Sequence, residues 1–224
     1  MGQNEISLPI EHPPEPFGYE HGKKIFDIFF SLCALLLGAP FFLLIALLIK
    51  LTSPGPIFYC SSRIGKEGKL FKFWKFRTMH TDAEQKLKQL LEENPHLQEE
   101  WKKYFKLKND PRLTPIGKFL RKTSLDEIPQ FWNVLIGDLS IVGPRPYLPN
   151  ETDEIRSFID ERIDKLFSVK PGLTGKWQTS GRNHLPFKER VLLDLTYIDE
   201  RSFLFDLALI GKTIPRILFP KGAF

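Results

Sequence analysis

The segment Arg121-Lys-Thr-Ser-Leu-Asp-Glu-Ile-Pro129 carries the strongest local structural signals in this chain of 224 residues. Ser124 is followed three residues later by Glu127, and this capping-box spacing predicts that a helix begins at Leu125. Apolar residues then recur at helical spacing until Gly137, which is expected to end the helix. The segment therefore predicts a short helix whose first turn contains two carboxylates.

These adjacent carboxylates, Asp126 and Glu127, allow two interpretations. They can simply stabilise the first turn, where free backbone N–H groups and the helix dipole favour negative charge. Alternatively, flanked by Arg121 and Lys122, they can form a reactive site. An ionised Asp can attack phosphorus or carbon, and paired carboxylates can hold Mg²⁺ through hard oxygen ligands.

The run that follows ends in Gly143-Pro-Arg-Pro146, where two prolines stiffen the backbone around Arg145. A guanidinium held in one orientation suits the oxygens of a phosphate or diphosphate. The alternative is an arginine on a surface turn that pairs with a carboxylate.

Residues 124–146, Ser-Leu-Asp-Glu-Ile-Pro-Gln-Phe-Trp-Asn-Val-Leu-Ile-Gly-Asp-Leu-Ser-Ile-Val-Gly-Pro-Arg-Pro, resemble the signature of bacterial monotopic phosphoglycosyl transferases. The resemblance extends from about Lys23 to the C-terminus. It implies that hexose-1-phosphate, from UDP-galactose or UDP-glucose, is transferred to undecaprenyl phosphate in the first membrane step of polysaccharide synthesis. N-acetylated amino sugars are the alternative donors. It also implies an aspartyl-phosphosugar intermediate on Asp126, release of UMP, and Mg²⁺ held by Asp126 or Glu127.

Composition fits this class without defining it. The net charge of +5 and the pI of about 9.1 suit an anionic membrane face or a phosphate-bearing substrate. The same charge would suit nucleic acid, but the sequence contains no nucleic-acid-binding signature. Two cysteines, Cys33 and Cys60, predict neither a disulfide framework nor a zinc site.

The N-terminal fifth contains one long apolar stretch. Residues 1–22 are rich in proline and glutamate and predict an extended tail, and no signal peptide is expected. Residues 25–49 are long enough to span a bilayer, but Pro40 predicts a kink. The resemblance favours a re-entrant membrane helix over 23–50, entering and leaving on the cytoplasmic face of the bacterial inner membrane. Asp27, at its start, would need a partner if it is buried.

Two short strands, 57–64 and 69–76, are predicted to form a hairpin after the membrane element. Lys75 and Arg77 share one face of the second strand by alternation, which suits either an interfacial hairpin or a phosphate site. The motif Lys75-Phe-Arg-Thr-Met79 resembles the family pattern and implies that Lys75 and Arg77 bind substrate.

Residues 81–105 predict two charged helices, a solvated insert within a catalytic domain that spans 51–224. The segment 106–117 resembles that of hexose-1-phosphate transferases. Further on, 151–167 has helical periodicity, and 170–183 is a glycine-rich loop that ends in Arg182 and Asn183. Such loops are usually turns, but the resemblance implies that these two residues bind substrate.

The last two predicted elements are helices. In the helix over 187–200, Arg190 and Asp194 are one turn apart and could form a surface pair, whereas the resemblance implies that Asp194 belongs to the active site. The apolar segment 202–219 contains Pro215 and predicts an interfacial helix, with a buried core helix as the alternative.

The predicted fold class is α+β and mainly helical: a re-entrant membrane helix hairpin, a compact catalytic domain with a small β-hairpin, and interfacial amphipathic helices. The predicted substrate-binding residues are Lys75, Arg77, Arg121, Arg145, Arg182, Asn183 and Asp194. The expected partners are a UDP-sugar, undecaprenyl phosphate and membrane lipids, with a homodimer left open. Two competing hypotheses are a membrane-anchored, non-enzymatic scaffold for polysaccharide assembly and a hydrolase of nucleotide sugars.

Overall fold

The computed structural model describes residues 18–104, 107, 109–181 and 185–218. Ten helices lie in these ranges: α1 Tyr19–Thr52, α2 Ala83–Glu93, α3 Pro95–Tyr104, α4 Pro115–Thr123, α5 Gln130–Ile136, α6 Thr152–Ile159, α7 Ile163–Leu166, α8 Lys176–Ser180, α9 Phe187–Glu200 and α10 Phe203–Leu218. The strands are β1 Phe58–Ile64, β2 Leu70–Phe76, β3 Ser140–Val142 and β4 Gly172–Thr174. The mainly helical α+β prediction is confirmed.

The chain forms two compact units, each assembled from separate stretches of sequence. The first unit consists of Met1–Ser31, Ser62–Lys72 and Asn133–Ile214, and the second of Leu32–Ser61, Phe73–Trp132 and Pro215–Phe224. The predicted division into a tail, a membrane helix and a catalytic domain follows the order of the sequence, whereas these units interleave.

Helix α1 is long and apolar enough to cross a membrane. It begins at Tyr19, so the last four residues of the predicted extended tail are helical. The helix continues through Pro40, where the sequence predicts a kink and the resemblance implies a break. Most of its apolar side chains are exposed, with Leu37 at 84%. This surface has no cover among the described residues.

The first unit is built around a short parallel sheet and a packed helical layer. Strands β3 and β4 pair with Ser140 opposite Gly172 and Val142 opposite Thr174. The predicted loop over 170–183 therefore contains a strand and helix α8, because its backbone groups pair with a distant segment. The predicted helix over 151–167 is interrupted at Asp160, which has a positive φ of 48°. Helix α9 has the predicted bounds.

Buried polar groups hold the start of α1 within the first unit. The buried Asp27 carboxylate accepts a hydrogen bond from the Ile141 N–H at 3.0 Å, which supplies the partner that its burial requires. The Asp206 carboxylate accepts hydrogen bonds from the hydroxyls of Tyr19 at 2.9 Å and Tyr197 at 2.8 Å. Lys23 also contacts Asp206, at 2.5 Å.

The second unit packs α4 and the C-terminal half of α1 against the hairpin strands. Its buried core contains Ile45, Ile49, Phe76 and Leu120. The predicted hairpin is confirmed, because β1 and β2 form a two-stranded sheet joined by a turn at Lys66–Gly68. The predicted pair of insert helices is also present, as α2 and α3. Helix α4 begins at a true cap, where the Thr114 hydroxyl accepts the Gly117 N–H at 3.0 Å.

Gly172 should contribute to the stability of the first unit because a side chain has no room at this position. A Cβ atom added to Gly172 would lie 2.1 Å from the Gly143 nitrogen and 2.6 Å from the Val142 carbonyl carbon, both backbone atoms that a rotamer change cannot move. We expect Gly172→Ala to lower the free energy of unfolding by about 1–3 kcal/mol or more.

Gly211→Ala is the matched control, because a Cβ there meets no atom within 4 Å and the residue lies inside α10. This change should stabilise the helix by about 0.5–1 kcal/mol. Thermal unfolding in detergent compares the two variants, and equal midpoints would contradict the close approach of β3 and β4.

Candidate active site

The turn that carries Asp126 differs from the predicted capped helix. Ser124 has φ 59° and ψ 16°, and its N–H donates to the Arg121 and Leu120 carbonyls, so it ends α4. A residue in this left-handed conformation cannot be the extended N-cap that a capping box needs. Residues Leu125–Glu127 form one 3₁₀ turn before α5, and the capping-box prediction is wrong.

Asp126 is the buried member of the carboxylate pair. Only 7% of the residue is exposed, and the structure shows no hydrogen bond to its carboxylate from another described side chain. Lys75 Nζ lies 3.9 Å from Asp126 Oδ2. Burial raises the pKa of Asp126 from 3.8 to about 6; Lys75 and Arg121 lower this pKa, and the neighbouring Glu127 raises it. At neutral pH the group is therefore ionised but poorly solvated.

Glu127 is the outward-facing member of the pair. Its Oε1 contacts Lys75 Nζ at 2.6 Å, and its side chain is 46% exposed. The Lys75 ammonium also lies 5.4 Å from the centre of the Phe73 ring, which is attractive for a cation. Lys75 therefore sits between the two carboxylates and partly offsets the charge of both.

Arg121 supplies a second cation next to Asp126. Its Nε donates to the Thr78 hydroxyl at 3.0 Å, and its charge lowers the pKa of Asp126. Thr78 belongs to the Lys-Phe-Arg-Thr-Met motif, but its residue type alone predicts no role for it. The backbone of Thr78 also accepts the Thr114 N–H at 3.0 Å, so the start of α4 is fixed against the end of the hairpin.

Arg77 has a structural role, because its guanidinium binds the segment that follows α1. Its guanidinium is buried and donates to the Ser53 carbonyl and hydroxyl, each at 2.8 Å, and to the Pro54 carbonyl at 2.5 Å. These contacts satisfy backbone acceptors just beyond the end of α1. Substrate binding by Arg77 stays a prediction.

A second polar cluster lies in the first unit, around Asp194. This residue is fully buried, which excludes the predicted alternative of a surface pair. Asp194 Oδ2 accepts the Arg145 N–H at 2.9 Å and the Tyr147 hydroxyl at 2.7 Å. Burial raises the pKa of Asp194 from 3.8 to about 7, and the two hydrogen bonds oppose this rise.

The Arg145 guanidinium belongs to the same cluster. It contacts Glu151 Oε1 at 2.9 Å, so the carboxylate partner allowed by the alternative interpretation exists. It also lies 5.8 Å from the ring centre of Trp177, and the Arg190 guanidinium lies 5.6 Å from the same ring. Neither Glu151 nor Trp177 was predicted from the sequence. Glu151 lies six residues beyond Arg145, without a regular spacing that indicates a pair, and Trp177 becomes a neighbour only through the tertiary fold.

The structure thus brings Asp126, Glu127, Lys75 and Arg121 together, and it places Arg145 and Asp194 in one cluster of the first unit. Arg182 and Asn183 lie outside the described residues. The roles assigned to all of these residues stay predictions.

The carboxylate pair fits Mg²⁺ better than a metal that needs a full protein cage. Within the described ranges, no group of three or more histidine, cysteine or acidic residues could hold a metal ion. Mg²⁺ is usually bound through one or two carboxylates, with water and substrate phosphates as the other ligands. Two acidic side chains, one of them exposed, provide such a donor set.

A buried carboxylate with a raised pKa beside two cations is the kind of group that is often found at functional sites. Comparison with known families gives a definite assignment, since residues 18–220 match the model of the bacterial sugar transferase family. The chain belongs to this family, and the resemblance noted in the sequence is confirmed.

Several curated relatives align with nine-tenths of the chain. The undecaprenyl-phosphate galactose phosphotransferase of Salmonella typhimurium is 44% identical over 203 residues, which are 90% of this chain and 41% of that protein. The exopolysaccharide production protein ExoY of Rhizobium meliloti is 43% identical over 90% of this chain and 88% of its own. The UDP-glucose:undecaprenyl-phosphate glucose-1-phosphate transferase of Escherichia coli is 38% identical over 90% of this chain and 41% of its own length. The chain thus spans about two-fifths of the length of the Salmonella and Escherichia relatives.

The raised pKa of Asp126 predicts that this residue destabilises the fold when it is ionised. The folded state holds the Asp126 proton more tightly than the unfolded state. The protonated carboxyl therefore makes its full contribution to the free energy of unfolding below about pH 3.8, and this contribution is lost as the pH rises through about 6. Asp126→Asn should therefore raise the free energy of unfolding at pH 8, by at most about 3 kcal/mol. The gain at pH 5 should be about half as large.

Thermal midpoints at pH 5 and pH 8 measure this difference. Glu154→Gln, which removes an exposed carboxylate from α6, controls for the general loss of a negative charge. A variant Asp126→Asn that is less stable than the wild type at pH 8 would show that the carboxylate is stabilised by its surroundings.

Proposed function

We propose that this protein transfers a hexose-1-phosphate from a UDP-sugar to undecaprenyl phosphate, with Asp126 as the nucleophile. The observation that carries the proposal is the buried Asp126 carboxylate beside Lys75 and Arg121, in a member of the bacterial sugar transferase family. The printed activities of the Salmonella and Escherichia relatives supply the substrate class.

In the first step, an Asp126 oxygen attacks the β-phosphorus of the UDP-sugar. The bond from that phosphorus to the bridging diphosphate oxygen breaks, and UMP leaves with the electron pair. The sugar phosphate is then bound covalently to the carboxylate. Asp126 suits this role because few described groups solvate its charge, so attack does not require strong hydrogen bonds to be broken.

In the second step, a phosphate oxygen of undecaprenyl phosphate attacks the same phosphorus. The acyl phosphate bond breaks, Asp126 returns as a carboxylate, and the polyprenyl diphosphosugar is released. Both steps bring anions together, and the charges of Lys75 and Arg121 oppose this repulsion. Lys75 Nζ also contacts Glu127 Oε1 at 2.6 Å, which restrains the positions of both side chains.

Mg²⁺ would be held by Asp126 or Glu127 and would offset negative charge on the diphosphate. The exposed Glu127 carboxylate is the more accessible of the two ligands. In the first unit, we assign phosphate or sugar binding to Arg145, Arg182 and Asn183, with Asp194 positioning the Arg145 backbone through their 2.9 Å hydrogen bond. A substrate contact by Arg77 is the least supported assignment, since its guanidinium already binds two carbonyl groups.

We further propose that α1 enters and leaves the inner membrane on its cytoplasmic face. Pro40 removes one helical hydrogen bond near the middle of the apolar stretch, and lysines flank that stretch at Lys24 and Lys50. Helix α10 would lie in the interface, because Leu204 is 78% exposed whereas Asp206 is buried. An acceptor with a lipid tail could then reach the site from the bilayer.

The proposal predicts that UMP is released from UDP-galactose or UDP-glucose by the full chain in detergent with Mg²⁺. Asp126→Asn should lower the rate at least about 10³-fold, because the nucleophile is lost. Lys75→Gln should lower it about 10²-fold, because a fixed positive charge is lost. Lys86→Gln on the insert helix α2 is the charge-matched control and should keep the wild-type rate.

The acceptor separates the competing functions. Without undecaprenyl phosphate, the wild type should release at most one equivalent of UMP. Continuous release of UMP and free sugar phosphate without acceptor would identify a hydrolase. No release from any UDP-hexose or UDP-N-acetylhexosamine would favour the non-enzymatic scaffold, and rapid turnover by Asp126→Asn would exclude this residue as the nucleophile.

A further inference from the structure

The first unit contains a cavity of about 200 Å³ with an unusual concentration of positive charge. Its walls come from the start of α1, the hairpin turn, β3, the segment before β4, and the end of α9. Five cationic side chains line it, against two carboxylates: Lys23, Lys24, Lys66, Lys170 and Arg201, against Glu20 and Asp27.

The positive charge that lines this cavity is only partly balanced by carboxylates of the protein. Lys23 is paired with Asp206 at 2.5 Å, and Asp27 is engaged by the Ile141 N–H at 3.0 Å. Lys66 and Lys170 are half-buried, yet within the described part of the chain neither side-chain ammonium group forms a hydrogen bond or an ion pair. Like charges gathered around a concave wall raise the local potential and favour an anion.

The surroundings of the cavity suit an amphiphilic ligand better than a soluble anion. One turn beyond Lys24, the α1 side chains Ile28 and Phe29 are exposed, with Phe29 at 66%. The ring of Phe26 contacts that of Phe203 at 5.7 Å, so the start of α10, with exposed Leu204, continues the same apolar surface. A ligand with a charged head and acyl chains could occupy the cavity and this surface together.

We propose that this cavity binds the headgroup phosphate of an anionic phospholipid. Its volume exceeds the roughly 30 Å³ of one water molecule several times, so it can hold a phosphodiester with part of its headgroup. Basic pockets beside membrane helices recognise such headgroups by charge. The lipid would fix the depth of α1, and this role is separate from the proposed sugar transfer, though it requires that α1 lies in the membrane.

Lipid retention by the purified full chain tests the proposal. Native mass spectrometry with equal amounts of phosphatidylglycerol and phosphatidylcholine should show one preferentially bound phosphatidylglycerol. Lys66→Gln with Lys170→Gln should weaken that binding at least about tenfold, because two charges near the phosphate are removed. Lys86→Gln with Lys88→Gln removes the same charge from α2 and should leave binding unchanged.

Further variants and competitors complete the test of lipid binding. Lys66→Arg with Lys170→Arg keeps both charges and should retain phosphatidylglycerol, which separates loss of charge from loss of folding. UMP release by the glutamine variants should match the wild type, because neither lysine belongs to the proposed active site. Equal retention of the two lipids, equal loss in the α2 control, or displacement of the lipid by about 10 mM inorganic phosphate or UMP would overturn the proposal.

Discussion

The candidate active site depends on one electrostatic constraint, the burial of the Asp126 carboxylate beside cations that do not fully compensate for the cost of that burial. Lys75 Nζ lies 3.9 Å from this carboxylate but only 2.6 Å from that of Glu127, so its closest contact is with the exposed neighbour. Burial consequently dominates and raises the pKa of Asp126 to about 6. A carboxylate held in this way is destabilised in the resting protein, and such a cost is common at functional sites.

Other buried carboxylates in the protein accept hydrogen bonds from other residues, although Asp194 Oδ1 has no partner among the described residues. Asp194 accepts a backbone N–H and a tyrosine hydroxyl, and Asp206 accepts two tyrosine hydroxyls and the Lys23 ammonium. Asp27 accepts a backbone N–H. Directional donors of this kind fix the fold and occupy the oxygens they bind. Apart from its own backbone N–H, the Asp126 carboxylate receives charge from Lys75 and Arg121 without such donors among the described residues, which favours a nucleophile over a structural carboxylate.

Local patterns in the sequence predicted local structure well. The hairpin and the bounds of α9 followed from strand alternation and helical periodicity, and the adjacent carboxylates of Asp126 and Glu127 indicated a candidate site by themselves. Long-range contacts were not predictable in this way. Ser124 satisfies the spacing of a capping box, yet the end of α4 sets its positive φ. Gly172 lies in a glycine-rich segment that becomes a strand only because Ser140 pairs with it. The contact of Arg145 with Trp177 was missed for the same reason.

The central claim is that Asp126 carries the sugar phosphate covalently, as an acyl phosphate. The most direct measurement is the intact mass of the full chain after incubation with Mg²⁺ and a set of UDP-sugars, without undecaprenyl phosphate. The account predicts a gain of one hexose phosphate with UDP-galactose or UDP-glucose. This gain should be absent from Asp126→Asn and reversed by adding undecaprenyl phosphate. A wild-type protein that turns over these donors without any gain in mass, or an equal gain in Asp126→Asn, would contradict it.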